Sequence, residues 1–114
     1  MYAIYEFPSF TKAILKFPDD DYAVLQSELV AHPEQGDLIR GTGGFRKARM
    51  GFPSARIGKS GGARVIYLYL SDIQTIVLVK LYAKAKKSDL SKAEENELRV
   101  ISAEIRRSLG SGKP

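Results

Sequence analysis

The segment GDLIRGTGGFRKARMGFPSARIGKSGGARVIYLYL (residues 36–70) contains eight of the ten glycines of the chain. Between Leu38 and Ser71 there are seven Lys or Arg residues and no Asp or Glu. A surface selected only for solubility normally mixes the two signs of charge. A basic segment broken by glycines and followed by a hydrophobic strand is typical of a phosphate-binding surface, which we predict here. A solvated basic loop is the alternative interpretation.

Strands are predicted on both sides of these glycines. Strands are expected over residues 45–50, 63–70 and 75–83, of which the last two are rich in β-branched, aromatic and other apolar residues, and turn residues separate the three. Their short links favour antiparallel pairing. Alternation along the second strand places Arg64 and Tyr67 on opposite faces.

The N-terminal part is predicted to form a strand and two helices. Residues 2–7 alternate and form the strand, and Ser9 can cap a short helix over residues 10–16. The run Asp19–Asp21 suits the start of a second helix, which Pro33 ends. Its apolar stripe consists of Tyr22, Leu25 and Leu29.

The last predicted helix begins at Ser91. Glu94 stands three residues after this serine, as a capping box requires, and Gly110 suits the end of the helix. The apolar stripe consists of Leu98, Ile101, Ile105 and Leu109.

These elements predict an α+β fold, with two N-terminal helices and a C-terminal helix on a four-stranded antiparallel or mixed sheet. We expect one domain over residues 1–109 and a flexible tail over 110–114. The N-terminus shows no signal-peptide pattern, no apolar run is long enough to span a bilayer, and there are no cysteines. A cytoplasmic protein without disulfides or a membrane partner is the expectation. The net charge of +5 indicates an acidic partner.

Several other classes of site are disfavoured. The sequence Gly58-Lys59-Ser60 resembles the end of a Walker A loop, but Pro53 replaces the required glycine and no helix is predicted after it. One histidine, His32, and no cysteine make a metal site or a Ser-His-Asp triad poorly supported, and we predict neither a metal nor a cofactor. A structural role at the helix end is expected for His32.

With those classes of site disfavoured, the functional groups left in the basic segment are the cations of Lys and Arg and the phenols of Tyr. They can bind RNA, and they can stabilise the phosphorane that forms when a ribose 2′-OH attacks the adjacent phosphate. Lys or Tyr can transfer the proton if neighbouring positive charge lowers the pKa. The candidate catalytic residues are Arg64, Lys47, Arg49, Lys84 and Tyr82. The candidate RNA-binding residues are Arg40, Arg46, Arg56, Lys59, Lys86 and Lys87.

Alternation limits how these residues can combine. Lys47 and Arg49 share one face of their strand and Arg46 lies on the other, so all three cannot line one site unless a bulge intervenes. A structural role for one of the two sets is an equal alternative.

Three segments in order, GDLIRGTGGFRKAR, GKSGGARVIYLYL and LYAKAKKSDLS, resemble the RelE/HigB-type toxins of bacterial toxin–antitoxin pairs, and the HigB-like branch in particular. The resemblance runs from about Asp21 to Leu98. It implies a RelE-like fold, ribosome-dependent endoribonuclease activity (an mRNA interferase that inhibits translation), and neutralisation by an antitoxin, often a helix-turn-helix protein of the HigA kind. Ribosome and mRNA are the other partners implied.

The resemblance also assigns residues. The family's arginine after paired glycines falls on Arg64, and its basic strand residues fall within Arg46, Lys47 and Arg49. Its basic residue after the last strand falls on Lys84. Some RelE members carry a second arginine and then a tyrosine further on, where this chain has Ala85 and approximately Ser91, so the general base stays open between Tyr82, another tyrosine and Lys84.

Two other functions compete with the nuclease. One is a ParE-like toxin, which shares the fold and inhibits DNA gyrase by binding it, although that branch generally lacks the basic centre. The other is an RNA- or ribosome-binding protein without catalysis.

Overall fold

A computed structural model of the chain describes residues 1–51, 58, 62–83 and 90–112. The elements have the predicted α+β order. They are β1 (Ala3–Glu6), α1 (Pro8–Ile14), α2 (Asp19–Ala31), β2 (Asp37–Leu38), β3 (Phe45–Met50), β4 (Ala63–Leu70), a 3-10 turn (Ser71–Ile73), β5 (Thr75–Ala83) and α3 (Lys92–Leu109).

The described strands form one mixed sheet in the order β1-β5-β4-β3-β2. β1 runs parallel to β5, and the other neighbours are antiparallel. The four predicted strands are all present. The fifth, β2, has only two residues, which is too short to show an alternation pattern in the sequence.

The sheet separates two hydrophobic clusters. On one side α1 and α2 pack against it, and this cluster includes Phe10, Leu25, Leu29, Ala48, Val65, Tyr67 and Leu78. On the other side α3 packs against it, and this cluster includes Phe45, Ile66, Leu68, Val77, Val79, Leu98 and Ile105. The predicted stripes of α2 and α3 are therefore core residues, and burial of this apolar surface is the main force that fixes the layers.

The start of α1 differs from the prediction. The helix begins at Pro8, where the absent N–H group costs no hydrogen bond, and Phe7 is the N-cap. Ser9 is not a cap; its Oγ donates instead to the carbonyl oxygen of Val79, 2.6 Å away. This bond attaches α1 to β5.

The ends of α3 match the prediction. The N–H of Glu94 donates to Ser91 Oγ and the N–H of Ser91 donates to Glu94 Oε1, which completes the capping box. Gly110 ends the helix with a φ of 78°. Beyond it, Ser111 Oγ and the N–H of Gly112 both donate to the Asp72 carboxylate, and the bond from Ser111 is the main cause of the lowered pKa of that carboxyl. Residues 113–114 of the predicted tail lie outside the described residues.

The GTGG segment joins α3 to the sheet. Thr42 is buried; its Oγ1 donates to the carbonyl of Ile39 and accepts from the N–H of Phe45. The carbonyl of Gly43 accepts from Ser102 Oγ at 2.7 Å and Arg106 Nη2 at 3.0 Å. Gly43 has a φ of +77°, and a Cβ there would lie 2.9 Å from Ser102, so glycine is needed for this approach. None of the helices described is long and apolar enough to cross a membrane.

Candidate functional site

Four cations and a phenol line one end of the sheet on the side covered by α3. We call Lys47, Arg49, Arg64, Lys80 and Tyr82 the cationic face. Lys47 and Arg49 share the side of Phe45 in β3, and Arg64 shares the side of Ile66 in β4. In the register, Arg49 is directly opposite Arg64, and Arg64 is directly opposite Tyr82. Three neighbouring strands thus bring together residues as distant in the chain as Lys47 and Tyr82.

A β-bulge in β5 sets which residues join this face. Tyr67 pairs with Leu78 but Ile66 pairs with Lys80, so Val79 is the extra residue. With strict alternation, Leu81 would follow Val77 and Val79 onto the α3 side. Instead Leu81 packs in the α1/α2 cluster and Tyr82 in the α3 cluster. The continuous apolar run of β5 carries no alternation signal, which is why sequence reasoning missed Lys80 as a site residue.

Close packing at Gly62 positions Arg64. A Cβ on Gly62 would lie 2.0 Å from the carbonyl oxygen of Met50, so only glycine lets the start of β4 pass β3 this closely. Arg64 is half-buried, and its Nη1 lies 3.1 Å from the carbonyl oxygen of Ala63. This packing therefore fixes the backbone that carries the Arg64 side chain.

Arg46 lies on the opposite side of the sheet from Lys47 and Arg49, as the alternation predicts. Its Nη1 donates to the carbonyls of Gly36 at 2.7 Å and Glu34 at 3.1 Å. Arg46 therefore stabilises the loop between α2 and β2 and is not part of the cationic face.

Tyr67 reinforces the same loop. Its hydroxyl donates to the carbonyl of Pro33 at 2.7 Å and accepts from the N–H of Gly36 at 3.0 Å. The ring is fully buried, and burial raises the pKa of the Tyr67 phenol. Both contacts are long-range in sequence and invisible to pattern analysis.

Of the other predicted RNA-binding residues, only Arg40 is described, and it does not join the cationic face. Arg40 is exposed in the loop after β2, near the beginning of β3, whereas Arg49 lies at its other end. Five of the predicted site residues lie outside the described part of the chain, namely Arg56, Lys59, Lys84, Lys86 and Lys87.

The fold brings carboxylates closer to the cations than the sequence indicated. Asp37 in β2 is directly opposite Lys47 in β3. Glu94, in the first turn of α3, lines a cavity together with Lys80 and Tyr82. The absence of Asp and Glu between Leu38 and Ser71 is therefore a property of the sequence segment, whereas in three dimensions carboxylates lie near the cations.

That cavity has a volume of about 250 Å³ and lies beside the second half of β5. Its lining residues are Ser9, Lys80, Leu81, Tyr82, Leu90 and Glu94. Among the described residues, β1 pairs only with residues 75–78 of β5, and the cavity lies beside the residues of β5 that follow, between α1 and α3.

His32 is remote from the cationic face. It is exposed and lines a groove with Tyr69 and Ser71 at the far end of β4, whereas Arg64 lies near the beginning of that strand. Among the described residues, no three His, Cys, Asp or Glu side chains lie close enough together to hold a metal ion.

Comparison of this fold with solved structures identifies it as that of the RelE toxins. A substituted variant of E. coli toxin RelE in the free state has a TM-score of 0.56 at 14% identity, covering 88% of this chain and 95% of that one. The isolated E. coli RelE toxin has a TM-score of 0.53 at 14% identity, covering 89% and 99%. The archaeal RelE–RelB complex from Pyrococcus horikoshii gives 0.50 at 22% identity, covering 75% and 98%. No family model matches the sequence.

Proposed function

We propose that this chain is the toxin of a toxin–antitoxin pair, and that it cleaves mRNA on the ribosome by attack of the 2′-OH on the adjacent phosphate. The observation that carries the proposal is the cationic face, in which Arg64 lies between Arg49 and Tyr82 in register. The RelE fold and the three resembling segments support the same activity. HigB-like membership is the finer form of the proposal and rests on the segments alone.

The arrangement suits metal-independent phosphoryl chemistry. In the proposed reaction Arg64 contacts the scissile phosphate, and its positive charge stabilises the phosphorane. Lys47 and Arg49 bind flanking phosphates and hold the RNA for in-line attack. A face built from Lys and Arg repels a divalent cation. The positive charge that stabilises the phosphorane therefore comes from the side chains themselves.

Proton transfer falls to Tyr82 or a lysine. Tyr82 is directly opposite Arg64 in the register, so its hydroxyl belongs to the same face as the arginine that contacts the phosphate in the proposed reaction. Lys80 and Lys47 belong to the same face, and Lys84 follows β5 in the sequence. One of these groups accepts the proton of the attacking 2′-OH, and another donates a proton to the departing 5′-oxygen, which leaves a 2′,3′-cyclic phosphate and a 5′-hydroxyl end.

Primer extension on messages from translating ribosomes tests this activity. We expect new 5′ ends only when the protein and ribosomes are both present, and 3′ ends that carry a phosphate. Cuts that leave 3′-hydroxyl ends would contradict the proposed chemistry. Inhibition of DNA gyrase without cleavage would favour the ParE-like alternative, and ribosome binding without cleavage would favour the non-catalytic one.

We further propose a cytoplasmic antitoxin of the helix-turn-helix, HigA-like kind that docks away from the cationic face. The solved RelE–RelB complex concerns another protein, but it illustrates a partner for this fold. The outward apolar surface is smaller than the sequence indicates, because Leu25 and Leu29 of α2 belong to the core. What remains includes Tyr5 on β1, which is 50% exposed beside a groove of about 270 Å³ between β1 and α3.

A further inference from the structure

The cavity beside β5 combines groups that differ from those of the cationic face. Leu81 and Leu90 provide apolar walls, Tyr82 provides an aromatic ring, and Lys80 and Glu94 provide a cation and a carboxylate. A volume of about 250 Å³ is small compared with the roughly 300–1,000 Å³ of ordinary ligand pockets. Apolar walls, an aromatic ring and a few polar groups at this size suit a single nucleobase.

The two polar groups are held in place by the fold. Glu94 Oε1 accepts from the N–H of Ser91 at 2.8 Å in the capping box, which fixes the carboxylate at the start of α3. A carboxylate has about four acceptor positions, so it can accept from a ligand in addition to Ser91. Lys80 is positioned by the bulge, and Ser9 Oγ fixes the backbone beside it through the carbonyl of Val79.

These groups distinguish the four bases by hydrogen bonding. On the Watson–Crick edge, only guanine presents two neighbouring donors, N1–H and N2–H, beside an acceptor, O6. A carboxylate can accept from both donors and an ammonium group can donate to O6. Adenine, cytosine and uracil each place an acceptor where the carboxylate would need a donor.

The position of the cavity relates it to the reaction. Tyr82 belongs both to the cavity lining and to the cationic face, directly opposite Arg64. Directly opposite residues in antiparallel strands have Cα atoms about 4.5–5.5 Å apart. A base in the cavity would therefore belong to a nucleotide near a phosphate held by Arg64.

We propose that this cavity is a guanine-binding subsite in which Glu94 and Lys80 determine the sequence preference of cleavage. The proposal rests on the endoribonuclease function proposed above for the same face. It adds a recognised base and two residues that read it.

Mapping of cleavage sites with a matched pair of variants tests the subsite. Glu94→Gln keeps the capping box, because glutamine also serves at that position, but it replaces a double acceptor with one acceptor and one donor. Glu95→Gln is the control, since Glu95 is the next residue of the helix, pairs with Lys92 at its surface and does not line the cavity.

For the wild type and for Glu95→Gln we expect guanine enriched at one fixed position relative to the cut, by roughly 5- to 150-fold as for one bidentate base contact. Glu94→Gln should lose most of this enrichment while it still cleaves. Absence of guanine enrichment in the wild type would overturn the proposal. So would an equal loss of rate at every site in Glu94→Gln, because that result would place Glu94 in proton transfer instead.

Nucleotide binding tests the subsite without cleavage. Titration of the wild-type protein with 5′-GMP, followed by NMR, should shift the methyl signals of Leu81 and Leu90, and 5′-AMP should shift them much less. Equal shifts, or none with either nucleotide, would overturn the subsite. Preferential GMP binding by a protein that cleaves no message would support the subsite and contradict the nuclease function.

Discussion

Arg46 and Arg49 are three positions apart in β3, but they lie on opposite sides of the sheet. Arg46 donates to two backbone carbonyls in the loop before β2, whereas Arg49 is exposed on the cationic face. Two arginines from one strand therefore have different expected functions, one in stability and one in RNA binding.

Alanine substitution of each arginine tests this difference. Arg46→Ala should lower the free energy of unfolding by about 1–3 kcal/mol, since it removes a charged donor from the carbonyl of the buried Gly36 and from the exposed carbonyl of Glu34. Arg49→Ala should change that free energy by less than about 0.5 kcal/mol and should reduce message cleavage. Urea unfolding and cleavage per folded molecule provide the two readouts. If Arg49→Ala lowered the stability and Arg46→Ala lowered only the cleavage, the two arginines would have been assigned to the wrong sides of the sheet.

Tyr67→Phe is expected to destabilise the protein in a pH-dependent way. At pH 8 the loss of two buried hydrogen bonds should cost about 1–3 kcal/mol. The folded-state pKa of Tyr67 is raised above its ordinary value of 10.0, so the folded state holds this proton more tightly than the unfolded chain. The stability from that proton is complete below pH 10 and is lost as the pH rises through the higher folded-state pKa.

The difference between wild type and Tyr67→Phe should therefore shrink above pH 10, measured by urea unfolding at several alkaline pH values. Tyr5→Phe is the matched control, since Tyr5 is half-exposed, and its curve should follow that of the wild type. A Tyr67→Phe protein as stable as the wild type at pH 8 would refute the structural role of this hydroxyl.

Among the described elements, patterns predicted the three α-helices and the four longer strands, because each of these buries a regular face. They could not predict the bulge in β5, which depends on pairing between Ile66 and Lys80 rather than on local sequence. They also misassigned Ser9, whose hydroxyl bonds a strand 70 positions away instead of its own helix. Lys80 and Glu94 entered the site only through such tertiary contacts.

The start of β4 depends on Gly62. In Gly62→Ala the added Cβ would overlap the Met50 carbonyl, so the two strands must separate; we expect a loss of at least about 1–3 kcal/mol and reduced cleavage. Gly58→Ala is the control, because a Cβ there meets nothing within 4 Å. Thermal unfolding of both variants measures the difference. Equal melting temperatures of the two variants would contradict the close packing of Gly62 against the Met50 carbonyl.

At the scale of the whole molecule, charge separates two kinds of expected binding. The cationic face should bind ribosomal RNA and message by contacts to phosphates, which weaken steeply with salt. The apolar surface near Tyr5 and the β1–α3 groove should bind an antitoxin by burial of apolar area, which salt weakens little. The sequence predicted the basic region from composition, but its division into a binding face and structural arginines required the fold.

Affinity measurements between low and high salt test this division. Ribosome binding should fall steeply, because exposed charges are screened beyond about 8 Å at physiological salt. Binding of the proposed antitoxin should fall only modestly. Equal salt sensitivity would instead indicate that the antitoxin covers Arg64 and Lys47 directly.

In the proposed function, the cationic face performs the cleavage and Arg64 lies at its centre. The most direct test is the single-turnover rate of message cleavage on programmed ribosomes for the wild type, Arg64→Ala and Arg107→Ala. Arg107 is an exposed arginine in the last turn of α3 and serves as the control. We predict that Arg64→Ala folds normally and cleaves roughly 10²–10³-fold more slowly, with Arg107→Ala at the wild-type rate. A folded Arg64→Ala protein that cleaves at the wild-type rate would contradict the claim.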